Sequence, residues 1–165
     1  MPARGQLSVT PLDHAYRLLA RRAYSEEELR QVLLHRGFGE AAVTDALTRL
    51  KDQGYIDDIS LARDEAERLR ARGFGPVGIR AKLAQRGFSA DAVEHALRAG
   101  QQTPQEHAAR HLLARRFSAG ALQDPRLRAR AFRLLMRRGY SPEVAESLLG
   151  NSAEDDYNTS KNVEQ

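Results

Sequence analysis

Two adjacent carboxylates, Asp57 and Asp58, form one candidate pair that could bind a metal ion or exchange protons. They stand directly before a segment that starts near Ile59 and has helical spacing of apolar residues. A short acidic side chain at a helix start accepts hydrogen bonds from backbone N–H groups and favours the positive end of the helix dipole. Because no histidine or third carboxylate stands beside them, we interpret both residues as structural helix caps.

His107 and His111 form a second candidate pair, because residues four apart share one helical face and can hold a zinc ion. The Glu that follows the first His in zinc proteases is missing, and the chain contains no Cys. A zinc site needs three or four protein ligands. We therefore expect no metal and no cofactor, and interpret the two histidines as part of a solvated helix face.

A row of arginines near the end of the chain is the strongest candidate for a functional surface. Its members recur at spacings of four, three and four residues, which places them along one side of a helix. Like charges so close together repel, so the row costs stability unless acids or a bound anion neutralise it. The row is Arg126, Arg130, Arg133 and Arg137, and a second, more diffuse set is Arg70, Arg72, Arg80, Lys82 and Arg86. These residues are our candidates for contacting DNA phosphate or an acidic protein surface; the alternative is a solvated face.

Helix starts can be predicted from short polar side chains that precede a proline, because the side-chain oxygen caps backbone N–H groups and proline lacks a donor. The predicted starts of this type are Thr10-Pro11, Thr103-Pro104, Asp124-Pro125 and Ser141-Pro142, with Gly75-Pro76 as a weaker version. Capping boxes are predicted at Ser25-x-x-Glu28 and Thr103-x-x-Glu106.

Helix ends can be predicted from glycines that precede an aromatic residue. In a Schellman motif the glycine is left-handed, and the next side chain contacts the residue four positions before the glycine. That residue is Leu in all five cases, which favours the motif over random loops. The glycines are Gly37, Gly54, Gly73, Gly87 and Gly139, and the paired leucines are Leu33, Leu50, Leu69, Leu83 and Leu135.

The spacing of apolar residues between these marks predicts nine helices and no strands. Residues 29–47, 79–97 and 131–149 align without gaps through an Arg-Gly-aromatic turn, at periods of 50 and 52. The expected fold is all-α, with three tandem three-helix repeats packed in line into an elongated curved array. The predicted helices span 11–23, 26–36, 40–53, 59–72, 76–86, 90–99, 104–116, 125–138 and 142–149. The expected divisions are a flexible 1–10, repeats at 11–58, 59–103 and 104–150, and a disordered acidic tail at 151–165.

The net charge of +4 is unevenly distributed along the 165 residues. The three repeats carry −2, +3 and +5 in chain order, so the last two are basic. The absence of Cys excludes disulfides and thiolate chemistry, and no apolar run is long enough to span a bilayer. We expect a cytoplasmic protein that does not enter the membrane.

Several runs of residues together resemble the RecX family of RecA regulators. The most specific is Gly54-Tyr55-Ile56-Asp57-Asp58 followed by Leu61-Ala62, although Leu61 stands where the family commonly has an aromatic. The resemblance covers roughly residues 12–150. Further matches are Ala15, Leu19, Arg22, Ser25, Glu28-Leu29, Leu33 and Arg36-Gly37 in the first repeat, Arg72-Gly73, Gly75, Ile79, Leu83 and Arg86-Gly87 in the second, and Phe132, Leu134-Leu135, Arg138-Gly139-Tyr140 and Leu148-Leu149 in the third.

The resemblance implies a non-enzymatic, monomeric regulator that binds the RecA filament on single-stranded DNA in its helical groove. Such a regulator would obstruct the filament and so inhibit ATP hydrolysis and strand exchange by RecA, together with the related recombination, DNA repair and SOS activities. Two alternatives remain open: an independent helical DNA-binding module or transcription-type regulator, and a structural adaptor. An enzyme fits the sequence least, because it shows no nucleophile with a base and no phosphate-cradling glycine loop.

Overall fold

The computed structural model describes residues 9–100 and 104–150, and the regular structure in these ranges is entirely helical. The all-α class predicted from the sequence is confirmed. The helices are α1 Pro11–Leu19, α2 Glu26–His35, α3 Glu40–Asp52, α4 Asp58–Ala71, α5 Pro76–Gln85, α6 Ala90–Ala99, α7 Gln105–Arg116, α8 Pro125–Arg138 and α9 Pro142–Leu149. A short 3-10 helix, Ala121–Gln123, precedes α8 and was not predicted.

The first helix is the one substantial error in the predicted bounds, since α1 ends at Leu19 and not at residue 23. The segment that follows serves as a connection to α2. There the Arg22 guanidinium lies 3.6 Å from the ring centre of Tyr24 and donates to the carbonyl of Ala23. These contacts hold the chain outside a helix until Ser25 caps α2. The other eight helices begin and end within one residue of their predicted positions.

Most helix starts have the predicted caps. The hydroxyl groups of Thr10, Ser25 and Ser141 and the carboxylate of Asp124 each accept a hydrogen bond from a backbone N–H in the first turn. Ser25 forms the predicted capping box with Glu28. Thr103 lies outside the described residues, and α7 begins at Gln105, one residue later than predicted.

The five glycines predicted to end helices all have positive φ, between 73° and 89°. In each case the N–H of the following aromatic donates to the carbonyl of the paired leucine, at 2.8–3.3 Å, as the Schellman motif requires. Four of the aromatics pack into or against the core that contains their leucine. The exception is Tyr55, which is 56% exposed and packs edge-on against Tyr16 instead.

Three separate hydrophobic cores divide the helices into units of three. The first core joins α1–α3, the second α4–α6 and the third α7–α9. The equivalent residues Leu33, Leu83 and Leu135 have no exposed surface and lie in the centre of their respective cores. Burying a leucine stabilises the fold by about 1.5–3 kcal/mol. We refer to these groups as the first, second and third units.

The units are joined end to end through their middle helices, α2, α5 and α8. At the first junction, the Ser25 hydroxyl at the start of α2 donates to the carbonyl of Arg86 at the end of α5, at 2.7 Å. At the second, the N–H of Gly75 at the start of α5 donates to the carbonyl of Arg138 at the end of α8, at 2.9 Å. The negative end of each helix dipole therefore meets the positive end of the next, which gives the predicted in-line array.

Gly87→Ala and Gly54→Ala form a matched pair that tests the junction contact. Both glycines are left-handed, so an alanine at either position should cost about 1 kcal/mol of backbone strain. A Cβ at Gly54 meets open space, whereas one at Gly87 would lie 2.6 Å from the side chain of Glu27 in the first unit. Urea unfolding should therefore show a clearly larger loss of stability for Gly87→Ala. Equal losses would mean that the junction is looser than described.

Candidate anion-binding surface

The predicted arginine row occupies one exposed side of α8. The side chains of Arg126, Arg130, Arg133 and Arg137 are all exposed, and none forms a hydrogen bond or an ion pair with another described residue. The buried residues of this helix, Ala131 and Leu135, belong to the third core. We call these four residues the α8 arginine row. Its charge is not neutralised within the described chain, which makes it suitable for an anionic partner.

The second candidate set lies on α4 and α5 and on the residues that end them, and two of its members bind within their own unit. Arg70 pairs with Glu67 at 3.0 Å and donates to the carbonyl of Ala96, so that only 21% of its side chain is exposed. Arg80 forms an ion pair with Glu94. Their charges are therefore largely neutralised by acids of the same unit. The cationic groups of Arg72 and Lys82 instead lie near the ring of Phe74 in the second unit, and no ion pair to a described residue accompanies either.

Arg86 has a different place from the one predicted, because it lies in the junction between the first and second units. Its guanidinium binds Glu28 of the first unit at 2.8 Å and Glu65 of its own unit at 3.3 Å. Only a quarter of the side chain is exposed. The hydrogen bond to Glu28 raises the pKa of Arg86 further, so it is always charged. We therefore assign Arg86 to holding the array together and not to contacting a partner.

Glu28 is the centre of this junction, a role that its recognition in the sequence as a capping and family-match residue did not predict. It accepts two hydrogen bonds from Arg86, lies 3.3 Å from Arg22, and closes the capping box with the N–H of Ser25. Partial burial acts to raise the pKa of Glu28, but the hydrogen bonds from Arg86, Ser25 and Arg22 outweigh it and lower the pKa. The ionised form of Glu28 therefore stabilises the fold.

Asp57 and Asp58 cap two different helices. Asp57 accepts from the N–H of Ser60 at 3.0 Å and caps α4, as expected, and hydrogen bonds with the hydroxyl and the N–H of Ser60 lower the pKa of Asp57. Asp58 instead accepts from the N–H of Glu26 at 3.0 Å, in the first turn of α2. Burial raises the pKa of Asp58. Both carboxylates are thus bound to backbone groups, which supports the capping interpretation over a reactive pair.

His107 and His111 are exposed on α7 and line a cleft of about 900 Å³ between the second and third units. Within the described ranges no three His, Cys, Asp or Glu residues are grouped so that they could hold a metal ion. The buried hydroxyl of Tyr140, which also lines the cleft, has no hydrogen-bond partner among the described residues. No helix in the described part of the chain is long and apolar enough to cross a bilayer.

The arrangement of three helical units agrees with what is found in known proteins. Residues 12–50 match the family model for the first three-helix domain of RecX, and residues 105–149 match that for the third. The regulatory protein RecX of Xanthomonas axonopodis pv. citri is 38% identical over 84% of this chain and 86% of its own length. RecX of Deinococcus radiodurans is 37% identical over 81% of this chain and 63% of its own length.

Solved structures show the same fold. The crystal structure of RecX from Lactobacillus salivarius superposes with a TM-score of 0.71 and 18% identity, covering 87% of this chain and 94% of that one. A second RecX structure gives a TM-score of 0.71 and 24% identity, covering 84% and 69% respectively. The fold and the repeated units therefore define an all-α protein built of three-helix repeats. Its sequence relatives identify it further: the chain belongs to the RecX family.

The contribution of Glu28 to the first junction should be measurable in the pH dependence of the free energy of unfolding. The lowered pKa of Glu28 means that its contribution is complete above the usual value of 4.5 and is lost as the pH falls through the folded-state pKa. At neutral pH, Glu28→Gln should therefore lower the free energy of unfolding by about 1 kcal/mol, and this difference should shrink in acid. Urea unfolding at several pH values measures both effects.

Glu146→Gln is the control for this experiment, because Glu146 is exposed on α9 and forms no ion pair with a described residue. It should change the stability little at any pH. A Glu28→Gln loss that stays constant from neutral pH to acid would contradict the role given to the Glu28 charge.

Proposed function

We propose that this protein binds the filament that RecA forms on single-stranded DNA and inhibits it without catalysing a reaction of its own. Membership of the RecX regulatory family supports RecA as the partner. The single structural observation that carries the proposal is the α8 arginine row, whose four charges have no acid partner in the described chain. Such a row suits a polyanionic surface such as a nucleoprotein filament.

The mode of inhibition we propose is obstruction within the helical groove of the filament. An in-line array of three units offers a long surface rather than an enclosed site, and arrays of this kind bind macromolecules along their length. The first unit carries −2, whereas the second and third carry +3 and +5. A bipartite contact follows, in which the acidic unit and the basic units bind different surfaces of RecA or its DNA. Such a protein acts as a monomer in the cytoplasm, in recombination, DNA repair and the SOS response.

Inhibition of RecA turnover is the first test. The purified protein should hydrolyse neither ATP nor DNA, because the sequence shows no nucleophile with a base and the described residues hold no group of three His, Cys, Asp or Glu that could bind a metal ion. Added to RecA on single-stranded DNA, it should lower the rate of ATP hydrolysis in a dose-dependent manner. A coupled ATPase assay follows ATP, and gel electrophoresis of labelled DNA follows its cleavage. Unchanged RecA turnover at saturating protein would refute the proposal.

The α8 arginine row is tested by changing its four members to Glu. The variant should keep its fold, since exposed substitutions usually change stability by less than about 0.5 kcal/mol each, but it should lose filament binding in cosedimentation. Replacement by Gln should have a smaller effect, because charge is then removed but not reversed. Wild-type cosedimentation by the Glu variant would show that the row is only a solvated face.

A charge-matched control is needed, since any basic protein binds an acidic filament less well after four arginines are reversed in charge. Exposed arginines outside α8 serve this purpose better than the α4 and α5 set, in which Arg70 and Arg86 make internal contacts. The control variant changes Arg21, Arg36, Arg63 and Arg98 to Glu. Equal losses for the two variants would mean that net charge, and not the row, governs binding.

Independent DNA binding is the second candidate function, because the α8 arginine row would suit bare nucleic acid equally well. Cosedimentation with RecA filaments should therefore be compared with retention on naked single-stranded DNA of the same length. Clearly tighter binding to the filament than to the naked strand favours the RecA regulator. Equal binding to both favours an independent DNA-binding module.

A further inference from the structure

The two junctions between units are built at equivalent positions of the repeat. At the first, Arg22 lies over the ring of Tyr24 and Arg86 closes the contact from the next unit. The positions 50 residues later hold Arg72 and Phe74, and Arg138 takes the place of Arg86. Both junctions therefore bring two guanidinium groups close to the start of a middle helix, although at the first junction Arg22 lies over Tyr24 and Arg86 lies over Phe88.

The first junction neutralises its cations internally. Glu28 lies 3.3 Å from Arg22 and 2.8 Å from Arg86, so one carboxylate stands between both guanidinium groups. Glu65 adds a second acid at 3.3 Å from Arg86. This junction therefore needs no external anion.

The second junction lacks this carboxylate, because the position equivalent to Glu28 is Gly78. A side chain cannot be accommodated here, since a Cβ at Gly78 would overlap the carbonyl oxygen of Arg138. On the other side of the contact, a Cβ added at Gly139 would likewise overlap the backbone of Gly78. Close backbone packing thus replaces the ion pair, and the cations are left without an acid from the described chain.

Three cations surround Phe74 at this second junction. The charged groups of Arg138, Lys82 and Arg72 lie 4.6, 4.9 and 5.9 Å from the ring centre. Arg138 also donates to the carbonyl of Arg72 at 2.8 Å, and no ion pair to a described residue accompanies any of the three. Attraction to the ring offsets part of their repulsion but leaves the net charge in place. The group therefore carries three positive charges within about one Debye length.

We propose that this group, Arg72, Lys82 and Arg138 around Phe74, binds backbone phosphate of single-stranded DNA. The phosphate neutralises these cations as Glu28 neutralises those of the first junction. The inference deepens the proposed function and rests on it for the nature of the ligand. Phosphate is favoured over a partner's carboxylate because Arg138 adjoins Arg137, the last member of the α8 arginine row. The group therefore adds positive charge at the same end of α8 as the last member of the row, which suits a chain of phosphates better than a single acidic side chain.

The double variant Arg72→Gln/Lys82→Gln tests this site, because neither side chain donates a hydrogen bond within the described chain. Binding of a labelled oligothymidylate is measured by fluorescence anisotropy at several salt concentrations, without RecA. The slope of log affinity against log salt should become shallower by about 0.7 for each phosphate that the variant no longer binds. The control Arg63→Gln/Arg98→Gln removes the same charge from exposed positions of the same unit and should leave the slope unchanged.

Lys82→Glu provides an independent readout in the free protein. A carboxylate placed beside Arg72 and Arg138 imitates Glu28, so it should raise the Tm while it weakens DNA binding. Arg98→Glu, as its control, should not raise the Tm and should weaken DNA binding less. The proposal is overturned if wild-type protein does not bind the oligonucleotide, or if the slope is the same for the wild-type, double and control proteins.

A labelled polyglutamate peptide separates phosphate from carboxylate as the ligand. If the double variant loses affinity for the peptide but keeps the wild-type salt slope with DNA, the site takes acidic side chains and the phosphate proposal is wrong. Because the assay contains no RecA, its outcome is distinct from that of the ATPase test. Unaltered RecA turnover combined with a reduced slope would refute the proposed function and leave the phosphate site standing.

Discussion

The end-to-end contact between middle helices is the interaction on which the rest of the structure depends. Each three-helix unit encloses a small core, and a core of this size gives limited stability by itself. Joining α8 to α5 and α5 to α2 satisfies backbone groups that a free helix end would leave to water, and it aligns the helix dipoles. The contact also fixes the direction of the array. The surface offered by α8 is therefore held in a constant relation to the second unit.

The sequence predicted the elements well because their ends are specified locally. A Ser, Thr or Asp before a helix and a Gly before an aromatic act within a few residues, so Ser141 and Gly139 could be interpreted without knowing the fold. The repeat was visible for the same reason. The early end of α1 was missed because it depends on Arg22, whose partner Glu28 belongs to the next helix and whose role emerges only from the packing.

The candidate surface was harder to predict, because sequence spacing shows which face a charge occupies but not which acid lies opposite. Arg86 and Arg137 look alike as charges near a helix end, yet Arg86 binds two acids and Arg137 binds none among the described residues. The alignment of the repeats did contain a signal for the position of Arg86. Arg36, Arg86 and Arg138 align, so a contact made by one of them is expected of the next. That comparison would have placed Arg86 at a junction and drawn attention to Arg138.

The two junctions show how a repeated fold can separate stability from binding. The first keeps Glu28 and so stabilises the array with an internal ion pair whose strength depends on pH. The second reaches a similar backbone contact through Gly75, Gly78 and Gly139, at which a Cβ would collide with the neighbouring unit. Because glycine supplies the close approach there, no acid is required to hold the units together. The side chains of Arg72 and Lys82 then form no hydrogen bond or ion pair within the described chain, and a surface that costs some stability in the free protein becomes available to an anion. The basic character of the later units thus follows from how their junction is packed as well as from how many arginines they contain.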